Sequence, residues 1–385
     1  MFPWRSFVQV SLSVLLAVAG AVIAVQPSLD RLSQAVLRLE ARVATTTRET
    51  PVEPISLQRT DVYPGLPAAL RVGRASPTLP LFRLDGRSAD DLLFAAESSV
   101  SAVAGTGDGW LVTSGLGMTP ARLGDLAIGW KGKLYTPDRV IRDTSTGLAY
   151  LKIAATDLPA AALASRVDVE IGEPVWLEAA AQQYAPNALV RLGMATTTQS
   201  TFSSDQWNRR YILATPSVGS FASVWNERGQ LVGLAEGGKG EVLPADAVRS
   251  ALTSLLNRGE IRRPTLGVRY VDVSETYSRV TDRAMPQKGA LLRAEKRGAL
   301  PAVAATSPAK NVLREGDVIE RIDRDILDGT WTLAERVLEY LPGASVTIGG
   351  IREGKPFEAR GTSGGARTSE ILKEPLYENA LAPTT

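Results

Sequence analysis

Hydroxyls, lysine amines and carboxylates are the main groups with which this chain could do nucleophilic or acid–base chemistry, because its 385 residues include no His and no Cys. Without Cys there is no thiolate nucleophile, no disulfide and no Cys-ligated zinc. Without His there is no imidazole to act as a general base or as a metal ligand. The composition therefore excludes catalysis by a Ser-His-Asp triad.

A lysine amine is the remaining base that could activate a serine hydroxyl, since a desolvated amine can accept a proton. Lys152 lies in a predicted strand, and Lys131, Lys133 and Lys239 lie in turn-like sequence. A Ser-Lys dyad is therefore the alternative route to catalysis. No Asp or Glu pattern has the spacing of metal ligands, so we expect neither a metal nor another cofactor.

Short β-like runs alternate with Gly, Asp, Asn and Pro from about residue 88 onwards. The predicted strands cover 110–113, 126–130, 148–153, 174–177, 188–194, 210–214, 222–225 and 231–235. Many short strands favour an antiparallel barrel or sandwich. Segment 245–258 is different, because Val248, Leu252 and Leu255 fall on one face of a helix. The pattern predicts a mostly β domain that ends on an amphipathic helix.

Three blocks of this region resemble the protease domain of the HtrA/Deg family, which has a trypsin-like fold of two six-stranded barrels. They are 108–116 (DGWLVTSGL), 143–153 (DTSTGLAYLKI) and 218–234 (VGSFASVWNERGQLVGL). The second block is the most specific, since it keeps the family's L-A-x-L-K-I core. The resemblance implies a mostly β chain with a trypsin-like double β-barrel over 88–263.

The family's catalytic residues can be carried over by position. The catalytic histidine falls on Leu116, the aspartate on Gly147 and the nucleophilic serine on Ser220. The first two departures remove the base and the group that orients it, which costs several orders of magnitude in rate. Val218 and Phe221 stand where the family has the glycines of its oxyanion hole. The carry-over predicts a degenerate serine protease that is not an enzyme.

Segment 264–362 resembles the PDZ domain of HtrA proteins, through 307–309 (SPA), 313–319 (LREGDVI) and 342–347 (PGASVT). In such a domain the C-terminal strand of a ligand joins a sheet edge, and consecutive backbone N–H groups bind its carboxylate. The resemblance assigns peptide binding to Thr265, Leu266, Gly267 and Val268 in the loop and to Leu333 and Val337 on the facing helix. The alternative is that the groove is filled or docked on the body and binds nothing.

The N-terminus carries the signs of a membrane anchor. Residues 7–25 are mostly apolar, long enough for a membrane-spanning helix, and Arg5 precedes them, which favours a cytoplasmic N-terminus and an extracytoplasmic body. A cleaved signal peptide and a buried core helix are the alternatives. We therefore predict a cytoplasmic N-terminus and single-pass anchor of the inner membrane over 1–28, with the later domains in the periplasm.

The segments that flank the domains have simpler patterns. Apolar residues at positions 29, 32, 36, 39 and 43 predict a short coiled-coil-like stalk over 29–44, or else one amphipathic helix. Residues 45–87 are rich in Pro and Gly and are predicted to be a linker. Residues 363–385 are predicted to be a disordered tail.

Together these features predict a membrane-anchored, HtrA-like pseudoprotease that binds peptide C-termini as a scaffold or regulator in protein quality control. Its expected partners are protein or peptide C-termini, the membrane, and either further copies, with a trimer suiting the stalk, or an active relative. Nucleic acid is not expected, because Lys and Arg number 43 against 41 Asp and Glu. An active serine endopeptidase with an unusual base and a holdase-like chaperone are the alternatives.

Overall fold

The computed structural model describes residues 76–84, 86–87, 91–98, 100–115, 123–180, 183–195, 201–216, 221–236, 238–276, 288–295 and 300–372. All of them belong to one compact unit, Gly65–Thr385. The predicted anchor at 7–25 and stalk at 29–44 lie outside these residues. Within the described ranges, no helix has the length and apolar character needed to cross a membrane.

The first sheet contains eight antiparallel strands in the order β23-β6-β7-β3-β2-β1-β4-β5. Its strands are β1 (Thr78–Arg83), β2 (Val100–Ala104), β3 (Trp110–Ser114), β4 (Leu126–Trp130), β5 (Lys133–Tyr135), β6 (Arg139–Asp143), β7 (Leu148–Lys152) and, from the far end of the chain, β23 (Ser369–Leu372). Leu111, Ile128 and Leu151 are fully buried in its core. The expected six-stranded barrel is therefore not found here: the eight strands form an open order, and β23 pairs with β6 at one end of it.

Strand β1 corrects the prediction that 45–87 is wholly linker. Its backbone pairs with both β2 and β4, and Leu79 and Leu81 are buried. The Thr78 hydroxyl donates to the buried Glu178 carboxylate at 2.5 Å. The Pro and Gly residues around β1 predict a linker, but the apolar side chains of β1 are buried in the core of the first sheet.

The second sheet is a closed six-stranded barrel in the order β11-β14-β13-β12-β8-β9. Its strands are β8 (Pro174–Ala180), β9 (Gln183–Met194), β11 (Arg209–Leu213), β12 (Phe221–Trp225), β13 (Leu231–Glu236) and β14 (Glu241–Pro244). The predicted helix is confirmed as α1 (Ala245–Arg258), which buries Val248, Leu252 and Leu255 in the same cluster as Trp225. It ends at Gly259, whose φ of 71° suits glycine.

The third sheet has the order β10-β16-β17-β18-β20-β21, with β19 paired to β18. Its strands are β10 (Phe202–Ser203), β16 (Arg269–Asp272), β17 (Ala290–Leu292), β18 (Val318–Ile322), β19 (Asp325–Ile326), β20 (Ser345–Arg352) and β21 (Lys355–Thr362). Helix α2 (Leu333–Glu339) covers its core and starts with a capping box between Thr332 and Glu335. Strand β10 reaches this sheet from the sequence of the preceding barrel domain.

A two-stranded ribbon and β23 correct the prediction of a disordered tail. The ribbon consists of β15 (Arg262–Thr265) and β22 (Gly364–Arg367), and β23 follows directly. Strands β22 and β23 form by backbone hydrogen bonding to strands β15 and β6, at edges that no other described strand pairs with. The polar composition of the segment gives no sign of this pairing. The tail prediction is therefore wrong as far as residue 372, and residues 373–385 lie outside the described ranges.

Two arginines, Arg166 before β8 and Arg209 in β11 of the closed barrel, hold the N-terminal end of helix α2 through ionic contacts. Arg166 Nη1 lies 2.7 Å from Glu335 Oε1, and Arg209 Nη1 lies 3.9 Å from Glu335 Oε2. The Arg166 guanidinium also stacks over the Trp331 ring at 4.1 Å from its centroid. The carboxylate is only 2% exposed, so this contact is a desolvated ion pair. It fixes the helix that flanks the predicted groove.

Candidate functional site

One of the three triad positions, Gly147, lies within the described residues, whereas Leu116 and Ser220 lie outside them. Gly147 connects β6 and β7 with a φ of 78°. Its N–H donates to the Asp143 carbonyl at 2.9 Å, and its carbonyl accepts from the Gly115 N–H at 2.8 Å. A Cβ on Gly115 would lie 2.1 Å from the Gly147 oxygen, so the two backbones meet at a distance that only glycine permits.

The carboxylate four residues before Gly147 is already committed to a structural role. Asp143 is fully buried and accepts hydrogen bonds from Arg263 Nη2 at 2.6 Å, Ser145 Oγ at 2.7 Å and Thr146 Oγ1 at 2.8 Å. Burial would raise its pKa, but the Arg263 guanidinium and the hydroxyl donors together hold that pKa below its usual range. Asp143 is thus an ionised anchor rather than a proton acceptor for catalysis.

The lysines considered for a dyad do not have the surroundings that such a base needs. Lys152 Nζ lies 3.1 Å from Asp108 Oδ2 in an ion pair. Lys131, Lys133 and Lys239 are exposed. A dyad requires a desolvated amine next to the serine, so none of these positions supports it.

The predicted carboxylate-binding loop has the geometry of an anion site. The N–H of Leu266 lies 2.8 Å from a carboxylate oxygen, Oδ1 of Asp205, and the N–H of Gly267 lies 3.1 and 3.2 Å from the two oxygens of the same group. Gly267 has a φ of 69°, and a Cβ there would lie 2.8 Å from the Ser307 side chain. Glycine therefore lets consecutive N–H groups converge on one carboxylate.

The structure brings the predicted peptide-binding residues together. Leu266, Val268, Leu333 and Val337 belong to one buried cluster, and none is more than 5% exposed. Thr265 ends β15 immediately before the loop. Peptide binding by these residues stays a prediction.

Sequence reasoning missed the residues that face this loop. Phe202, Ser204 and Asp205 come from the barrel domain, 61 positions before Leu266 in the case of Asp205. The run Phe-Ser-Ser-Asp has no periodicity or motif that would have marked it. Only its mixture of one aromatic residue with hydrogen-bonding side chains is a signal, and that mixture is common in turns.

A cavity of about 460 Å³ lies elsewhere in the part of the chain that the structure describes. It is lined by parts of α1 and α2 and by Arg166, Trp207 and Trp331. Its walls include neither Gly147 nor the loop at 265–268. We therefore regard it as a space between the barrel domain and the third sheet rather than as the site of chemistry.

Curated proteins similar to this chain are serine proteases. It is 27% identical to the periplasmic pH-dependent serine endoprotease DegQ of Escherichia coli (strain K12) over 173 residues, which cover 42% of this chain and 36% of DegQ. It is 23% identical to a probable periplasmic serine endoprotease DegP-like of Halomonas elongata, covering 58% and 48%. It is 24% identical to the serine protease Do-like HtrA of Lactobacillus helveticus, covering 60% and 59%. The chain thus matches less than two thirds of the length of each relative.

Solved structures with the same fold are HtrA-type proteases. A variant of AlgW with a tripeptide matches with a TM-score of 0.51 at 17% identity, covering 76% of this chain and 95% of that chain. AlgW with a decapeptide matches with a TM-score of 0.50 at 19% identity, covering 77% and 97%. Because the sequence identities are 17% and 19%, the structural similarity shows only that the chain has the HtrA-like trypsin fold. No family model matches the sequence.

These comparisons correct the prediction that the chain is not an enzyme. That prediction rested on the residues at positions 116, 147 and 220, but two of the relatives are named as serine endoproteases and the third as a serine protease. Leu116 and Gly147 therefore do not establish that the chain lacks enzymatic activity.

Proposed function

We propose, from the premise that this chain belongs to the HtrA family of serine proteases, that it binds polypeptide C-termini through a PDZ domain and serves protein quality control outside the cytoplasm. One observation supports the binding function above all: the N–H groups of Leu266 and Gly267 converge on one carboxylate at 2.8 to 3.2 Å. Since β16 lies next to this loop, an extended ligand could pair with it while its terminal carboxylate is held.

Binding is tested with peptides that differ only at their last group. A peptide with a free α-carboxylate should bind the full-length chain more tightly than its C-terminal amide. Gly267→Val should abolish the difference in affinity between acid and amide. A side chain is strained at a φ of 69°, and here it would collide with Ser307 as well. Gly354→Val is the matched control, since Gly354 has a similar φ of 78° but no atom lies within 4 Å of a Cβ there. Equal binding of acid and amide would contradict the proposal.

The names of the relatives favour a second function, serine endopeptidase activity. In this chain Ser220 is the candidate nucleophile, and its activation would need a proton acceptor other than imidazole because there is no His. Labelling of Ser220 by a fluorophosphonate probe, lost in Ser220→Ala, would support this function. Absence of labelling in a folded, full-length chain would contradict it.

The location and assembly of the chain form the last part of the proposal. Residues 7–25 would anchor it in the inner membrane, and the domains would lie in the periplasm, as the names of two relatives state for those proteins. The stalk at 29–44 would support an oligomer, either of this chain alone, with a trimer as the first candidate, or with another member of the family. Carbonate extraction and crosslinking of membranes test the anchor and the oligomer.

A further inference from the structure

A segment of the barrel domain already pairs with the strand at which a peptide ligand would be added. Strand β10 is antiparallel to β16, with Phe202 opposite Tyr270 and Ser203 opposite Arg269. The pairing continues through the Ser204 N–H, which donates to the Val268 carbonyl at 2.9 Å. The segment therefore runs along the groove toward the loop at 265–268, in the manner of an added ligand strand.

The segment also supplies a carboxylate to the loop. Asp205 accepts from the Leu266 N–H and, with both oxygens, from the Gly267 N–H. The next N–H, from Val268, donates to Ser204 Oγ at 3.2 Å. Three consecutive backbone donors are thus satisfied from within the chain. The side-chain carboxylate of Asp205 takes the place that the terminal carboxylate of a ligand ending at Ser204 would take.

The apolar part of the groove is occupied by the same segment. Phe202 packs against the cluster that contains Leu333 and Val337, and its ring centroid lies 6.4 Å from that of Tyr270. Thr201 and Ser204 are fully buried. The segment is also held by Asn208, whose Nδ2 donates a hydrogen bond to the Ser203 carbonyl at 2.6 Å.

We propose that residues 201–205 (TFSSD) are an internal competitor for the peptide groove, and that a polypeptide C-terminus binds this chain only by displacing them. The proposal rests on the function proposed above and adds its regulation. When a site is open for only a fraction of the time, the apparent affinity for a ligand falls by that fraction. Displacement therefore selects ligands that combine a free carboxylate with β-pairing, because both must be replaced at once.

The test uses the full-length chain, the Asp205→Ala variant and a labelled peptide with the sequence of residues 198–204 (TQSTFSS) and a free C-terminus. The peptide should bind Asp205→Ala more tightly than the wild type by about tenfold or more, since charge-assisted hydrogen bonds of the competitor are lost. Asp138→Ala removes an exposed carboxylate from a turn of the first sheet and should leave the affinity unchanged. Equal affinity for wild type and Asp205→Ala would overturn the proposal.

Hydrogen exchange separates this proposal from the function on which it rests. The amides of Leu266 and Gly267 should exchange more slowly in the wild type than in Asp205→Ala. Equal exchange rates in the two proteins would show that residues 201–205 do not occupy the groove, independently of how tightly the peptide binds. If the amides are released in Asp205→Ala and the peptide still does not bind, the peptide-binding function itself is wrong.

A disulfide lock gives an independent check, because the natural chain has no Cys. Opposite residues of an antiparallel pair lie about 4.5–5.5 Å apart between Cα atoms, a distance that a disulfide spans. Ser203→Cys combined with Arg269→Cys should bind the peptide at least about tenfold more weakly when oxidised than when reduced. Equal binding in the two redox states would contradict displacement as the requirement for binding.

Discussion

The Arg263 guanidinium lies 2.6 Å from the Asp143 carboxylate and is, like it, almost completely buried, at 1% exposure against 0%. The two residues are 120 positions apart. Arg263 belongs to β15 and Asp143 ends β6, so the pair joins the ribbon at the start of the third-sheet domain to the first sheet. The link lies four residues from Gly147, onto which the sequence resemblance places the family's catalytic aspartate.

Breaking this pair should destabilise the protein strongly. Asp143→Asn leaves the buried guanidinium without its counter-charge, so we expect the free energy of unfolding to fall by about 3–5 kcal/mol. Urea denaturation measures the change. Glu353→Gln, which breaks the exposed contact with Arg314, is the matched control and should change it by less than about 1 kcal/mol. Similar effects of the two variants would contradict the structural role of Asp143.

The same pair predicts a pH dependence of stability. The folded-state pKa of Asp143 lies below its unfolded value of about 3.9, so its contribution is complete above that pH and is lost as the pH falls through the folded-state pKa. The difference in unfolding free energy between wild type and Asp143→Asn should therefore be large near neutrality and shrink in acid. A difference that is independent of pH would mean that the carboxylate is not ionised in the folded protein.

Close backbone approach at the triad position can be tested with alanine. Gly115→Ala would place a Cβ against the Gly147 carbonyl. We expect the free energy of unfolding to fall by about 1–3 kcal/mol. Gly124→Ala is the control, because no atom lies within 4 Å of a Cβ at that site. If Gly115→Ala were as stable as the control, Gly115 and Gly147 would not meet as described.

The stacked contact of Arg166 predicts that lysine cannot replace it. Arg166→Lys keeps the charge near Glu335 but loses the planar group that stacks on Trp331, so we expect the free energy of unfolding to fall by about 0.5–2 kcal/mol, measured by thermal unfolding. Arg314→Lys, at an arginine side chain that is 54% exposed, should be close to neutral. An equally mild effect at position 166 would show that the contact is an ordinary surface pair.

Removal of β23 should expose a sheet edge. A chain that ends at residue 368 lacks the partner of β6, and open edges favour association between molecules. We expect increased self-association in light scattering together with lower stability. A chain that ends at residue 372 keeps β23 and should behave as the wild type. Identical behaviour of the two truncations would contradict the role of β23 as a cover for β6.

The parts of the fold that were predictable from sequence are those whose side chains carry a period. Helix α1 follows from the spacing of Val248, Leu252 and Leu255, and five of the six strands of the closed barrel, all but β14, follow from short apolar runs between turn residues. Strands β10, β22 and β23 were missed because they form through backbone hydrogen bonds with strands distant in sequence, which leave no periodic pattern. Gly267 could be singled out by resemblance, but its partner Asp205 could not, because nothing local in the run Ser-Ser-Asp indicates a contact 61 residues away.

The position of β23 also bears on the order in which the chain can fold. The first sheet begins at Thr78, yet its edge strand β6 receives its partner only from the last described residues, and the Thr144 hydroxyl bonds to the Thr368 carbonyl across 224 positions. Contacts this distant in sequence require closure of a long loop, which slows folding. The first sheet is therefore complete only after the segment that follows residue 368 has reached β6. Until β23 pairs, the edge of β6 lacks its partner strand, and its backbone N–H and C=O groups are open to other polypeptides.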